Sequence, residues 1–249
     1  MSGLAQIMKN MGFRIQGSDQ NNNKSTFSCK KAGIKVFKGH SKSNIRKATI
    51  LVKSTAIKNN NDELKFAKKI KYQFIQGLNF SRCVSLKKYI ITGSHGKTTT
   101  TSLVAKILSD QKLDPTIING GVINSFRSNA KLGKGEWAIL EADESDGSFL
   151  KLPVNYSIVT NIDYEHIDYY KNYKNLEESF LKFINKTPPT GKSIICIDNY
   201  NIKKIFNKIK NQNVLTYGEN KKADYQIKKI KYYFDSTTFD LRFKVKDKK

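Results

Sequence analysis

The chain has few cysteines and no long apolar run, the features that indicate a disulfide-rich, zinc-finger or membrane-spanning protein. Its 249 residues include three cysteines, four prolines and one tryptophan. Cys29, Cys83 and Cys196 are far apart and form no C-x-x-C pair. This spacing argues against a disulfide framework or a zinc site, and it predicts a reducing, cytoplasmic location. No apolar run is long enough to span a bilayer, so the sequence predicts no membrane-spanning segment.

Acidic residues are also scarce relative to basic ones. The chain has 21 Asp and Glu against 45 Lys and Arg, a formal net charge of +24. Such a balance can indicate a nucleic-acid-binding protein. The lysines are spread along the whole chain without a block of like charge, which favours a lysine-rich solvated surface. We therefore predict no nucleic-acid partner, and a steeply salt-dependent affinity for arbitrary DNA would revive that alternative.

The first third of the chain alternates between helical and strand patterns. Leu4, Ile7, Met8 and Met11 form one helical stripe that ends at Gly12. Further along, the predicted strands are 13–17, 34–37, 50–53 and 73–75, and the predicted helices are 25–32 and 61–70. Alternation of this kind predicts a parallel sheet covered by helices.

A second α/β segment begins near residue 87. Its predicted strands are 89–92, 117–118, 137–140, 156–160, 193–197 and 214–217. Asn175 and Glu178 have the spacing of a capping box and predict a helix start, and Pro188 follows the helix that they begin. Strict alternation over 239–245, preceded by weaker alternation from Tyr225, predicts a terminal antiparallel hairpin.

The most informative stretch is a β-branched strand followed by Gly93-Ser94-His95-Gly96-Lys97-Thr98 and an apolar helix. The glycines allow the backbone N–H groups to converge on phosphate oxygens, and a helix N-terminus favours negative charge. Lys97 can reach the outer phosphates, and the Thr98 hydroxyl can ligate Mg²⁺. The spacing G-x-x-G-K-T is shorter than that of the common P-loop. The alternative is a glycine turn that merely joins a strand to a helix.

Two polar runs follow predicted strands at the sheet edge where open α/β sheets bind ligands. Residues 141–146 contain four carboxylates, and residues 160–166 end at His166. Glu141 and His166 could hold Mg²⁺ ions that bridge phosphates and an acceptor carboxylate. The alternatives are a solvated acidic loop and a structural histidine.

Taken in order, the motifs of the chain resemble those of the Mur ligase family. The matching segments are 1–5, 17–19, 39–40, 54–57, 93–101, 119–121, 129–133, 141–150 and 160–166. One such motif would be weak evidence, whereas the ordered set is specific.

The resemblance implies an α/β fold with a truncated Rossmann-like, UDP-binding domain at 1–86. It also implies a central P-loop-type, ATP-binding domain at 87–249 that ends in the antiparallel hairpin. The implied reaction uses ATP and Mg²⁺ to join L-alanine to the lactyl carboxylate of UDP-N-acetylmuramate through an acyl phosphate, in peptidoglycan precursor synthesis.

The resemblance also assigns roles to individual residues. The implied ATP-binding residues are Gly93, Ser94, His95, Gly96, Lys97, Thr98 and Thr99. The implied catalytic residues are Lys97, Glu141 and His166, and the implied metal ligands are Thr98, Glu141 and His166. The implied sugar-nucleotide-binding residues are Ser18, Asp19, His40, Ser54, Thr55, Ala56, Asn129, Ser145 and Asn161.

The sequence departs from the family pattern in three places. The first strand with its glycine-rich UDP loop, the H-N-x-x-N segment and the C-terminal domain have no counterpart, and Gln76 stands near a usual arginine. We therefore expect an incomplete copy that binds Mg·ATP weakly and UDP-N-acetylmuramate more weakly, without forming the amide. One alternative function is a ligase that attaches a preformed tripeptide to the same sugar nucleotide, although Ser145 favours alanine. Another is a non-catalytic nucleotide-binding remnant.

Overall fold

The computed structural model describes residues 1–10, 12–46, 48, 50–54, 56–69, 73–76, 86–123 and 128–243. They form two compact units. The first comprises Met1–Leu86 and Val104–Ile139, and the second comprises Lys87–Leu103 and Leu140–Lys249. None of the helices in these described ranges is long and apolar enough to cross a membrane.

The first unit combines short helices with small sheets. Its elements are α1 (Ser2–Asn10), β1 (Gln16–Asp19), α2 (Lys24–Lys31), β2 (Lys35–Lys38), β3 (Ile50–Lys53), α3 (Asp62–Lys69), β4 (Gln73–Gln76), β6 (Thr116–Ile123) and β7 (Ser128–Lys131). Strands β1 and β2 pair in parallel, as do β3 and β4, whereas β6 and β7 pair antiparallel. Helix α1 packs on β7 so closely that a Cβ on Gly3 would lie 2.8 Å from the Ala130 Cβ.

The strand predicted at 13–17 begins later in the structure. Gly12 has a φ of +90°, and the Phe13 N–H donates to the Met8 carbonyl at 3.1 Å. These two residues therefore complete the C-terminal end of α1, as left-handed glycines commonly do. Strand β1 starts only at Gln16, so that Ser18 and Asp19 lie at its carboxyl end. Met11 of the predicted helical stripe lies outside the described residues.

The second unit is built on a mostly parallel sheet. Its elements are β5 (Lys87–Thr92), the start of α4 (Lys97–Asp110), the end of β8 (Trp137–Glu141), β9 (Tyr156–Val159), α5 (Ile167–Tyr170), α6 (Tyr173–Asn185), β10 (Lys192–Cys196), α7 (Tyr200–Phe206), β11 (Val214–Gly218), β12 (Tyr225–Tyr232) and β13 (Thr237–Phe243). Strands β13, β12, β11, β10, β9, β5 and β8 are hydrogen-bonded neighbours in that order. Strands β12 and β13 form the predicted antiparallel hairpin. Residues 244 and 245, the end of the predicted second strand, lie outside the described residues.

Apolar side chains from strands and helices form the core of this unit. Ile91 and Val159 are fully buried on adjacent strands, and α6 contributes Phe180 and Phe183. Both of these rings pack on Phe149, with centroid distances of 5.3 Å and 5.1 Å. The strands must be apolar on both faces because helices cover a parallel sheet from both sides. This core holds the carboxyl ends of β5, β8 and β9 in place.

The capping box predicted at Asn175 is wrong. Helix α6 is capped three residues earlier, where the extended Asn172 accepts a hydrogen bond from the Asn175 N–H at 2.9 Å. The Asn175 side chain points back and donates to the Tyr170 carbonyl at 2.7 Å. Both asparagines precede an apolar stripe, and only the backbone conformation at Asn172 decides which of them caps the helix.

Candidate active site

The loop between β5 and α4 is shaped by two glycines with positive φ. Gly93 has a φ of +137° and Gly96 a φ of +78°. A Cβ on Gly93 would collide with Thr160 Oγ1 and lie 3.0 Å from the Asn161 carbonyl oxygen. Residue 93 must therefore be glycine for two reasons, its backbone conformation and its contact with the end of β9.

We predict that Gly93→Ala lowers the free energy of unfolding by about 2 kcal/mol or more, since strain and overlap act together. Mg·ATP binding should fall with it. Gly96→Ala is the matched control, because no heavy atom of the described residues lies within 4 Å of the added Cβ. Its cost should be only the backbone strain, about 1 kcal/mol. Thermal unfolding of both variants measures the difference, and equal losses would contradict the proposed contact with β9.

Residues that follow β9 form hydrogen bonds with the loop between β5 and α4. Asn161 accepts a hydrogen bond from the His95 N–H at 2.8 Å and donates to the His95 carbonyl at 3.0 Å. Thr160 Oγ1 donates to the same carbonyl at 2.7 Å, and the Asp163 N–H donates to Ser94 Oγ at 2.8 Å. The loop is therefore fixed before any ligand arrives, which is what a preorganised phosphate site requires.

Lys97 lies at the start of α4 and points back over the loop. Its Nζ donates to the Gly93 carbonyl at 2.6 Å, to the Ser94 carbonyl at 3.1 Å and to Glu144 Oε1 at 3.1 Å. The three N–H donors of an ammonium group are thereby matched. Nζ also lies 2.9 Å from Glu144 Oε2, an ion-pair contact whose direction does not make a hydrogen bond.

Glu144 is the most buried carboxylate of the site. Its side chain is 1% exposed, and burial raises the pKa of its carboxyl group, although the hydrogen bond from Lys97 lowers it in part. Its carbonyl accepts hydrogen bonds from the Gly147 N–H and the Tyr170 hydroxyl. A buried carboxylate is costly without cations near it. Lys97 supplies this positive charge.

Glu144 is grouped with two later residues. Single ligand atoms of Glu144, Glu165 and His166 lie within 4.8 Å of one another. His166 Nε2 is 3.6 Å from Glu144 Oε1 and 3.9 Å from Glu165 Oε2. His166 has a left-handed backbone, with a φ of +59°, at the start of α5. This cluster is the geometric candidate for a cation among the described residues.

Glu141 lies at the neighbouring strand end. The Thr98 hydroxyl donates to Glu141 Oε1 at 3.0 Å, which joins two of the predicted metal ligands. The Ala142 N–H donates to the Ile91 carbonyl and the Thr160 N–H to the Thr92 carbonyl, so the ends of β8, β5 and β9 are adjacent. Predicted residues from three separate motifs thus lie on one edge of the sheet.

His95 is a residue of the loop itself. Its Nε2 lies 3.3 Å from Asp163 Oδ2 and 3.5 Å from Glu165 Oε1, and its side chain is largely exposed. Ser145 belongs to the acidic run, and its N–H donates to Asp143 Oδ1 at 2.9 Å. Thr99 is an exposed residue of the first turn of α4.

In the first unit, two predicted sugar-nucleotide residues meet. Ser18 Oγ lies 2.9 Å from His40 Nδ1 and donates to Glu63 Oε2 at 2.7 Å. Asp19 ends β1, and its Oδ1 accepts a hydrogen bond from the Asn21 N–H at 3.0 Å. The carboxyl ends of β1 and β2 are adjacent because these strands are parallel.

The other residues predicted to bind the sugar nucleotide make only long hydrogen bonds or lie outside the described residues. Ser54 Oγ accepts a hydrogen bond from the Ala56 N–H at 3.4 Å, whereas Thr55 lies outside the described residues. Asn129 lies on β7 and donates through its amide to Ser2 Oγ at 3.5 Å.

Glu144, Glu165 and Glu63 were not predicted from the sequence as candidate site residues. Glu144 was visible as one of four carboxylates in six residues, but nothing local distinguishes it from Glu141. Glu63 lies in an ordinary amphipathic helix pattern and had no signal at all. Glu144 and Glu63 stand out only in the structure, because the tertiary fold buries them.

Comparison with known proteins agrees with this geometry. The model for the Mur ligase middle domain matches residues 91–249, and that for the Mur ligase family, catalytic domain, matches residues 1–89. The UDP-N-acetylmuramate–L-alanine ligase of Pelagibacter ubique is 55% identical over 251 residues, which cover 100% of this chain and 54% of that protein. The ligase of the same name from Agrobacterium fabrum is 40% identical over 246 residues, 98% of this chain and 52% of that protein. The chain therefore spans about half the length of the curated relatives it matches.

Solved structures show the same fold. A Neisseria ligase named for UDP-N-acetylmuramate and a tripeptide superposes with a TM-score of 0.88 at 22% identity, covering 98% of this chain and 80% of that one. The UDP-N-acetylmuramate–alanine ligase of Thermotoga maritima superposes with a TM-score of 0.85 at 24% identity, covering 98% and 55%. The predicted α/β fold and the predicted resemblance are both confirmed. The chain belongs to the Mur ligase family.

Proposed function

We propose that this chain carries the ATP-binding and sugar-nucleotide-binding parts of a ligase that joins L-alanine to the lactyl carboxylate of UDP-N-acetylmuramate. The observation that carries the proposal is the 55% identity over the full chain to a ligase of that name. The arrangement of Lys97, Glu144 and His166 beside the loop at 93–98 supports it. Peptidoglycan precursor synthesis in the cytoplasm is the corresponding process.

We assign the binding of the two nucleotides to two different segments of the chain. Residues 1–86 would bind the sugar nucleotide through Ser18, Asp19 and His40, with Asn129 contributed from the later segment. Residues 87–249 would bind ATP through the loop at 93–98 and the first turn of α4. The first N–H groups of a helix have no acceptor within the helix, so they are available for phosphate oxygens.

The residues of the chain suit an acyl-phosphate reaction. The lactyl carboxylate attacks the γ-phosphorus of ATP, ADP leaves, and the amine of alanine then displaces phosphate from the acyl phosphate. Both reactants of the first step are anions, so positive charge must be concentrated where they meet. Lys97 would exchange its bond to the Gly93 carbonyl for a phosphate oxygen, while Thr160 and Asn161 keep the loop in place.

The donor set fits a divalent cation. Glu144 is buried, and its Oε2 has no hydrogen-bond donor among the described residues. Carboxylate oxygens and a threonine hydroxyl suit Mg²⁺. Thr98, Glu141 and His166 are the predicted ligands, and the cluster geometry adds Glu144 and Glu165 as candidates. A cation bound there would neutralise charge on the phosphoryl oxygens during transfer.

The choice of acceptor amine cannot rest on the fold, because the tripeptide ligase and the alanine ligase superpose about equally well. It rests on the sequence relatives and on Ser145. The second alternative is a non-catalytic remnant, which would still bind nucleotide but would not catalyse amide formation.

Calorimetric titration of the chain with Mg·ATP and with UDP-N-acetylmuramate tests the proposal. We expect both to bind, with the sugar nucleotide the weaker. Phosphate release is then measured with L-alanine or with the tripeptide, both ligands being present. Release that depends on L-alanine would support the alanine ligase and contradict the expectation that this chain does not form the amide. Release only with the tripeptide would favour the rival, and no release with either acceptor would favour the non-catalytic remnant. Failure to bind either nucleotide would contradict the proposal.

A further inference from the structure

Glu63 is a buried carboxylate of the first unit that the proposed function does not use. It lies in the first turn of α3, where the Asn61 side chain caps its N–H at 2.9 Å. Its Oε1 accepts hydrogen bonds from the Asn44 amide at 2.8 Å and from the Ser41 N–H at 3.3 Å. Its Oε2 accepts the Ser18 hydroxyl at 2.7 Å. Both carboxylate oxygens thus face donors, as expected for the ionised form.

This set of contacts determines where the proton of His40 lies. The Ser18 hydroxyl has one hydrogen, and it is directed at Glu63 Oε2. Toward His40 Nδ1, 2.9 Å away, Ser18 Oγ can then only accept. Glu63 Oε2 is also 3.4 Å from the same nitrogen. Nδ1 must therefore carry a hydrogen, which leaves Nε2 of the neutral ring as an acceptor.

We propose that Glu63 is a positioning residue that fixes His40, through Ser18, in the Nδ1-protonated form and so presents Nε2 as a hydrogen-bond acceptor. Nε2 has no partner among the described residues. His40 follows β2 at the sheet edge that it shares with Asp19, the edge where parallel sheets bind ligands. The ligand group that Nε2 fits is one that donates a hydrogen bond.

For the ligand, this inference rests on the proposed sugar-nucleotide function. A uridine nucleotide offers two kinds of donor, the imide N–H of uracil and the hydroxyls of ribose. Both have the required chemistry, and a set of nucleotide analogues distinguishes them. The protonation of His40 itself can be measured without any ligand.

The first measurement is ¹⁵N NMR of the ring nitrogens in the full chain at alkaline pH, where histidine is neutral. The chain has three histidines, so His40→Gln identifies the signals of His40 by their loss. We expect Nδ1 to be protonated and Nε2 to be bare. An Nε2-protonated ring in the parent protein would overturn the proposal, whatever the variants do.

The second measurement uses Glu63→Gln. The Ser41 N–H can only donate, so the amide oxygen of the substituted side chain should remain on that side and its NH₂ group should face Ser18. Ser18 then accepts from that NH₂ group and donates to His40, and the ring should change to the Nε2-protonated form. Asp62→Asn is the matched control, since it removes one charge from a largely exposed neighbour on the same helix. It should leave the ring unchanged, and a folded Glu63→Gln protein with Nδ1 still protonated would overturn the proposal.

The third measurement is calorimetric binding of UDP, N3-methyl-UDP and 2′-deoxy-UDP. We expect Glu63→Gln to weaken UDP binding roughly tenfold, since one acceptor becomes a donor. The analogue that lacks the recognised donor should bind the parent and the variant alike, and this identifies the group. Equal discrimination of both analogues by parent and variant would overturn the role of Nε2. If UDP does not bind the parent although the ring form is as expected, the sugar-nucleotide function fails and the role of Glu63 stands.

Discussion

Lys97→Ala is expected to weaken Mg·ATP binding by about 100-fold, since hydrogen bonds to charged groups contribute more than those between neutral groups. The structure adds a second effect. Lys97 is the cationic partner of Glu144, whose side chain is 1% exposed. Removing one partner of a buried pair leaves an uncompensated charge, so the variant should also lose about 3 kcal/mol of unfolding free energy.

The two effects of Lys97→Ala can be separated. The double variant Lys97→Ala with Glu144→Gln removes the uncompensated charge, so it should recover most of the stability without recovering the binding. Lys106→Ala is the control on the same helix, because Lys106 is exposed and pairs with Asp110 at the surface. It should bind Mg·ATP as the parent does. If Lys97→Ala binds Mg·ATP normally, the phosphate loop is wrongly assigned.

His166→Ala is expected to raise the Mg²⁺ concentration needed for tight ATP binding by about 10- to 100-fold. His166, Glu144 and Glu165 place ligand atoms within 4.8 Å of one another, so each removal should disturb the same cation. Glu144→Gln should act in the same direction. The combined variant should be little worse than either single one, because residues that serve one ion are not additive.

The measurement is ATP affinity as a function of Mg²⁺ concentration. Glu178→Gln provides the control, as it removes a carboxylate from the exposed face of α6. An unchanged Mg²⁺ requirement in His166→Ala and Glu144→Gln would place the cation elsewhere. Additive losses would indicate two independent sites.

The turn between β5 and α4 could be predicted because its sequence signal is local. Gly93, Gly96 and Lys97 lie between the end of a strand and the start of a helix, so the pattern is contained in a few consecutive residues. The parallel arrangement of the strands is also implied by the alternation of helices and strands. The predicted edge location of Glu141 and His166 follows from this alternation, since strands of a parallel sheet end on the same side.

The remaining site residues could not be predicted from the sequence, because their burial and their partners come from distant segments of the chain. The Glu144 side chain is 1% exposed, and its partners Lys97 and Tyr170 belong to two other segments of the chain. Glu63 acquires its partners from residues 19 to 45 positions away. Strand β7 was not predicted, because its four residues show no alternation and are held by pairing with β6. Asn172 and Asn175 illustrate the same limit at shorter range, as two equivalent cap residues are separated only by backbone conformation.

The most direct test of the central claim is a crystal structure of the chain with Mg²⁺ and a non-hydrolysable ATP analogue. The outer phosphates should lie on the N–H groups at the start of α4, with Lys97 Nζ moved from the Gly93 carbonyl to a phosphate oxygen. The cation should lie at the cluster of Glu144, Glu165 and His166, on the edge of the sheet that also carries Thr98 and Glu141. A nucleotide bound at another edge of the sheet, or phosphates on the loop with Lys97 still bonded to Gly93, would contradict the account.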